Sequence, residues 1–138
     1  MVITREVQLH SKGEFDVQDI TDQVAEAVKG SELKAGIVTI FCPGSTCGLT
    51  TLEFESGVIA DLEGVLDEIA PPDQPYLHHL RWGDQNGHSH VRAALMGPSL
   101  TVPFVNGVLT LGTWQQIAYC DFDTEPRARR LVVQIMGE

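Results

Sequence analysis

From Ser99 to the C-terminus the chain breaks into four short strand-like runs, SLTVPFV, GVLTL, WQQIAYCDF and RLVVQIMG. Each is rich in β-branched and aromatic residues and is set off by turn-forming residues, the signature of consecutive strands. Asn106-Gly107 separates the first two, and that dipeptide closes a two-residue hairpin because it tolerates the positive φ both turn positions require. A chain that ends this way is committed to antiparallel pairing over its last third. The opening residues agree: TREVQLHSKG alternates polar and apolar side chains as a strand does, and AGIVTIFCPG is a continuous apolar run bounded by Gly36 and the Pro43-Gly44 turn. LTTLEFE resumes the sheet.

Two segments follow helical spacing instead. Ile20, Val24 and Val28 form one stripe in DITDQVAEAVKG, with Gly30 as the expected stop. Val58, Ile59, Leu62, Val65, Leu66 and Ile69 mark three turns, with Ser56 as the expected N-cap and Pro71-Pro72 ending the helix. HVRAALMGPS predicts a third, short helix ended by Gly97-Pro98. The segment 73–90 is rich in Asp, Gly, Gln and Asn and reads as an irregular, functional loop. About seven strands, two clear helices and one short one give an α+β fold with a largely antiparallel sheet system. At 138 residues, with no repeat and no linker, the chain fits one domain.

Charge narrows the partners. Nine basic against 19 acidic residues leave a net charge of -10, which disfavours nucleic acid and anionic membrane surfaces. An anionic small molecule could still meet a local cluster such as Arg81, Arg92 and the basic run 127–130, although RARR itself reads most simply as a solvated turn. No apolar run reaches the ~18–20 residues that span a bilayer, and the N-terminus lacks a signal-peptide pattern. Cys42, Cys47 and Cys120 are an odd number without CxxC spacing, so neither a disulfide framework nor a zinc ribbon is expected. They read as small buried hydrophobes in a reducing cytoplasm.

Four of the five histidines fall between residues 78 and 90. His88 and His90 form an H-x-H, which in an extended segment turns both imidazoles to one face. His78 or His79 could add a third ligand, with Asp84 and Asn86 as further ligands or orienting groups. Such a set could hold a divalent metal, zinc or magnesium, and leave one position open. Solvated loop histidines are the plainer alternative. In PGSTCGLTTLEFE, residues Gly44 to Gly48 offer amides and hydroxyls (Ser45, Thr46) suited to phosphate. No Gly-Lys-Ser/Thr follows, so it is no P-loop, and an ordinary turn would look the same. Glu53 is a candidate general base or metal ligand if it points toward the histidines, or else one member of a solvated strand face. In LGTWQQ, Trp114 and Gln115 could stack on and hydrogen-bond a planar ligand, or Trp114 could anchor packing or an oligomer contact.

Taken in order, GIVTIFCPGSTCGLTTLEFE, GVIADLEGVLDEIAP, YLHH, NGHSHVRAALMGPSLTVP, GTWQQI and VVQIMGE resemble the YjbQ family of small proteins, often labelled secondary thiamine-phosphate synthase. The resemblance implies a β-sandwich-like pair of mixed or antiparallel sheets with two to three helices outside, assembled as a homotrimer. It places the family's recurrent polar positions at Glu53, Asp61, His78, His90, Trp114 and Gln115. Many members carry a histidine where this chain has Gly44, so the PGST loop marks a subgroup in which His79 and His88 are candidates to fill that vacancy. The implied activity joins a hydroxymethylpyrimidine diphosphate to a thiazole phosphate with loss of pyrophosphate. Two functions are then in competition. One is a metal-assisted enzyme on a phosphorylated small molecule: Glu53, His78 and His90 catalytic; Ser45, Thr46, Arg92, Trp114 and Gln115 binding substrate; His78, His79, His88 and His90 holding the metal. The other is a non-catalytic ligand- or metal-binding trimer.

Overall fold

The computed structural model describes residues 1–138, apart from the side chain of Trp82. Its elements run β1 (Val2–Ser11), β2 (Asp16–Asp19), α1 (Thr21–Ser31), β3 (Ala35–Phe41), β4 (Cys47–Leu52), α2 (Ser56–Ile69), α3 (Leu77–Trp82), α4 (Gly87–Met96), β5 (Ser99–Val105), β6 (Val108–Leu109), β7 (Gln116–Asp121) and β8 (Arg127–Gly137). Every strand pairing is antiparallel. One sheet has the order β1-β8-β3-β5-β6 and the other β2-β7-β4. This is the expected α+β sandwich, with four helices rather than two or three and eight strands rather than seven.

Side-chain alternation explains the layering. In β7, Ile117 and Tyr119 turn toward the five-stranded sheet and join Val38, Ile40, Val102, Leu131, Val133 and Ile135 in the main core. Cys120 and, just past β7, Phe122 turn the other way and meet Leu66 of α2 and Ala93 of α4 in a second cluster. The central strand of the small sheet is therefore buried on both faces, which is why its sequence is a nearly continuous apolar run. The stripe of Ile20, at the N-cap of α1, with Val24 and Val28 within it, is fully buried in the main core, as its spacing predicts. α2 is less covered: Leu66 is buried, whereas Val65 and Ile69 are exposed.

Several boundaries differ from expectation. α1 runs past Gly30 and ends where Glu32 adopts a left-handed conformation. Glu55, not Ser56, caps α2, its carboxylate accepting from the Gly57 amide. Asn106 and Gly107 both have positive φ, so the hairpin turn forms as read. The RARR segment is a correction. It is the start of β8, and Arg129 shares the inward parity of Leu131, Val133 and Ile135.

Candidate functional site along the β4–β5 seam

The two sheets meet where the edge strand β4 runs beside β5, and the Leu49 amide donates to Gly97 O across the join. The join is close: a Cβ on Gly48 would lie 3.0 Å from Gly97 O and from Met96. Two cavities line this seam. One, of about 240 Å³, is bounded by Gly44, Ser45, Cys47, His90, Ala93, Ala94 and Pro98. The other, of about 390 Å³, is bounded by Thr50, Thr51, Ser99, Thr101, Pro103, Thr110, Gln115 and neighbouring apolar residues. Gln115 is held in place by donating to Thr51 Oγ1 at 3.1 Å while its Oε1 accepts from the Gly112 amide at 3.0 Å. Glu53 lies exposed just past β4, Trp114 is 73% exposed beside Gln115, and Asp61 lies exposed on α2.

The histidines gather, but not on one point. Helix α4 begins at Gly87, so the H-x-H is helical, and at 100° per residue His88 and His90 point about 200° apart. The extended arrangement that would have aimed both at one metal is thereby overturned. Likewise, residues 77–82 form a helix inside the segment read as a loop. His90 pairs with His78, ring centroids 4.5 Å apart, and His78 Nδ1 lies 3.4 Å from Asp84 Oδ1. His79 and His88 instead flank Tyr76, at 5.5 and 6.4 Å, and line a different cavity with Glu14, Asp73, Gln74, Gln85 and Thr124. Among the described residues no three His, Cys, Asp or Glu side chains are placed to hold a metal ion, so the donor sets of one chain do not fit a zinc or magnesium site. It is His90 that shares a cavity with Gly44. A Cβ on Gly44 would sit 3.0 Å from Cys47 Sγ and 3.2 Å from Arg129 Nη1, too close for a histidine there without movement of both.

His88 is 2% exposed, and neither ring nitrogen has a hydrogen-bond partner among the described residues. Burial, then the nearby Arg92 charge, lowers its pKa, so the ring is held neutral. Arg92 is committed elsewhere: Nε donates to Ala70 O at 3.0 Å and Nη2 to Asp67 Oδ1 at 2.8 Å, pinning the end of α2 to α4. Thr46 is equally occupied, donating to Asp123 Oδ2 at 2.9 Å and accepting from Arg129 Nη2 at 2.8 Å. Of the loop's two hydroxyls, the exposed Ser45 is the one that borders the seam cavity.

A cluster that the sequence reading missed lies directly beneath this loop. Arg129 Nε donates to Asp121 Oδ2 at 2.7 Å and Nη2 to Asp121 Oδ1 at 3.2 Å, the Tyr119 hydroxyl donates to Asp121 Oδ2 at 2.6 Å, and Arg127 Nε donates to Asp123 Oδ2 at 3.1 Å. Burial acts to raise the pKa of both aspartates. The hydrogen bonds from Arg129, Tyr119 and the Asp123 amide for Asp121, and from the Glu125 amide, Thr46 and Arg127 for Asp123, outweigh it and hold both carboxyls below the usual range. The signal was present: Arg127, Arg129, Leu131, Val133 and Ile135 share one parity.

The model of the UPF0047 protein YjbQ-like family matches residues 5–138. The chain belongs to the YjbQ-like family. A UPF0047 protein of Methanothermobacter thermautotrophicus is 37% identical over 99% of this chain and 94% of its own length, and the YugU protein of Bacillus subtilis is 31% identical over 95% and 97%. A YbjQ-like protein of unknown function from Sulfolobus solfataricus superposes with a TM-score of 0.94 at 33% identity, covering 100% of this chain and 99% of that one. An uncharacterised YjbQ/UPF0047 protein from Clostridium acetobutylicum gives 0.87 at 35%, covering 96% and 99%. The YjbQ-like fold thus spans the whole chain, seam included.

Proposed function

We propose that this YjbQ-like chain is a homotrimeric enzyme whose β4–β5 seam binds a phosphorylated small molecule and transfers an organic group from it, with thiamine-phosphate formation as the named candidate. The observation that carries the reading is the placement of His90 and Ser45 in one cavity and Thr51, Thr101 and Gln115 in a second along the same seam. Ser45 and His90 then hold the diphosphate, and His90 supplies a proton or hydrogen bond to the departing pyrophosphate, the step where charge develops. Thr51, Gln115 and Trp114 hold the acceptor ring, and Glu53 stands at the mouth, where its carboxylate offsets the positive charge the ring nitrogen gains on alkylation. No step is routed through a metal; a cation here would need donors from the ligand or from a second copy. The trimer reading is supported by the outer face of the five-stranded sheet, where Ile37, Phe41, Val105 and Met136 are exposed around Thr39, Thr101 and Gln134. The Thr51–Gln115 cavity includes Ser99, Thr101 and Pro103 from that same face, so a neighbouring copy packed there would close it.

The test is turnover of pyrimidine diphosphate with thiazole phosphate by purified protein of measured metal content. The expected result is turnover that His90→Ala abolishes while unfolding temperature and oligomeric state are kept. Equal trace rates in both proteins would instead favour a non-catalytic binding trimer.

A further inference from the structure

Two of the three cysteines sit at opposite ends of the loop 43–46, Cys42 just past β3 and Cys47 at the start of β4. They are 1% and 2% exposed, and their thiols lie within hydrogen-bonding reach of each other. They are nevertheless not sealed in. A cavity of about 240 Å³ is bounded by both cysteines, Pro43 and Arg129. That is ample for a molecule the size of two waters, each of which occupies about 30 Å³. Cys47 also borders the His90 cavity on its other side. The Arg129 guanidinium commits Nε and Nη2 to Asp121 and Thr46, which leaves Nη1 on the Gly44–Cys47 side.

We propose that Cys47 is a peroxide-reactive thiol and Cys42 its resolving partner, so that hydrogen peroxide converts the pair into an intramolecular disulfide. Deprotonated Cys47 Sγ attacks one peroxide oxygen; the O–O bond breaks and hydroxide leaves, taking a proton to become water. The Cys42 sulfur then attacks Cys47 Sγ, the S–S bond forms as the S–O bond breaks, and the sulfenic hydroxide leaves with the Cys42 proton as a second water. Two thiols are oxidised by two electrons and one peroxide is reduced to two waters.

The surroundings favour Cys47 as the attacking group. The Cys42 thiol donates toward it, and Arg129 adds positive charge; together they overcome burial and lower the Cys47 thiol below its usual value. Tyr119 has a single O–H and gives it to Asp121, so that hydroxyl is not what holds the thiolate. The hydrogen bond to Cys47, then burial, pushes Cys42 up, which suits a proton-bearing partner that reacts second. Cys120 is the internal control, fully buried between the small sheet and the helices and raised to about 12 by burial and Asp121.

The experiment treats the folded, full-length protein with hydrogen peroxide at neutral pH, blocks remaining thiols after unfolding, and maps peptides by mass spectrometry. The expected result is a Cys42–Cys47 linked peptide lacking two hydrogens, with Cys120 still blocked by the alkylating reagent. In Cys42→Ser the reaction should stop at a sulfenic acid on Cys47 that dimedone traps. Three alkylated thiols after peroxide, oxidation of Cys120 as fast as Cys47, or dimedone on Cys42 in Cys47→Ser would each overturn the proposal. The wild-type readout needs no variant, so a substitution that fails to fold leaves the test intact.

Discussion

Arg129 and Asp121 form the most consequential pair of side chains in the molecule, because Asp121 is fully buried and the Arg129 side chain that pairs with it is only 15% exposed. Removing one partner strands a buried charge, so Asp121→Ala should cost about 3–5 kcal/mol in urea unfolding. The pair also sets the acid limit. Asp121 and Asp123 have folded pKa values below their unfolded ones, so their contribution is complete above the unfolded value of about 4 and is lost as pH falls through the depressed folded values. Stability should therefore decline below about pH 4, and less steeply in Asp123→Asn. His88 acts at milder pH. Its folded pKa is lowered, so its contribution is present above about 6.5 and is lost as pH falls below that. The charged groups acting on it are Arg92, Glu14, His79 and Asp67. A His88→Gln variant should lose that slope in unfolding temperature between neutral pH and the carboxylate range. None of this was legible from residue type. RARR looks solvated by composition, and only its register with the apolar half of β8 turns Arg129 inward.

At the scale of elements, the sequence was most legible where periodicity was longest. α1, α2, the paired strands β3 and β5, and the Asn106-Gly107 hairpin stand where spacing and turn chemistry place them. The reading failed at 73–90, because Gly, Asn and paired histidines lower helix propensity and tertiary packing restores it. Gly87 shows how. A Cβ there would fall 2.5 Å from Tyr76 Cβ, and the Gly87 amide donates to His79 Nε2 at 3.3 Å, so α3 docks directly on the first turn of α4. Gly87→Ala should therefore destabilise by about 1–3 kcal/mol and speed amide exchange in α3 before α4. The helical start at Gly87 also divides the histidines between two cavities, a division that an alternating reading of H-x-H could not foresee.

For the whole molecule, what the sequence carried was a family resemblance over essentially the whole chain, its motifs lying between about residues 36 and 138, and the family match over residues 5–138 agrees with it. The uncovered apolar face of the large sheet belongs to this scale, as does Trp114, which packs against little in a single chain. If the trimer forms through that face, Phe41→Glu should shift sedimentation from trimer to monomer without unfolding the sandwich, since Phe41 is 42% exposed in the isolated chain. The proposed chemistry, however, rests on the β4–β5 seam. Its most direct test is calorimetric titration of the purified protein with inorganic pyrophosphate, in parallel with His90→Ala and Ser45→Ala proteins of unchanged unfolding temperature. The expected result is saturable binding to the wild type, weakened about tenfold or more in His90→Ala, as follows when a charge-assisted hydrogen bond is lost. Equal affinity in wild type and His90→Ala, or no binding to either, would contradict it.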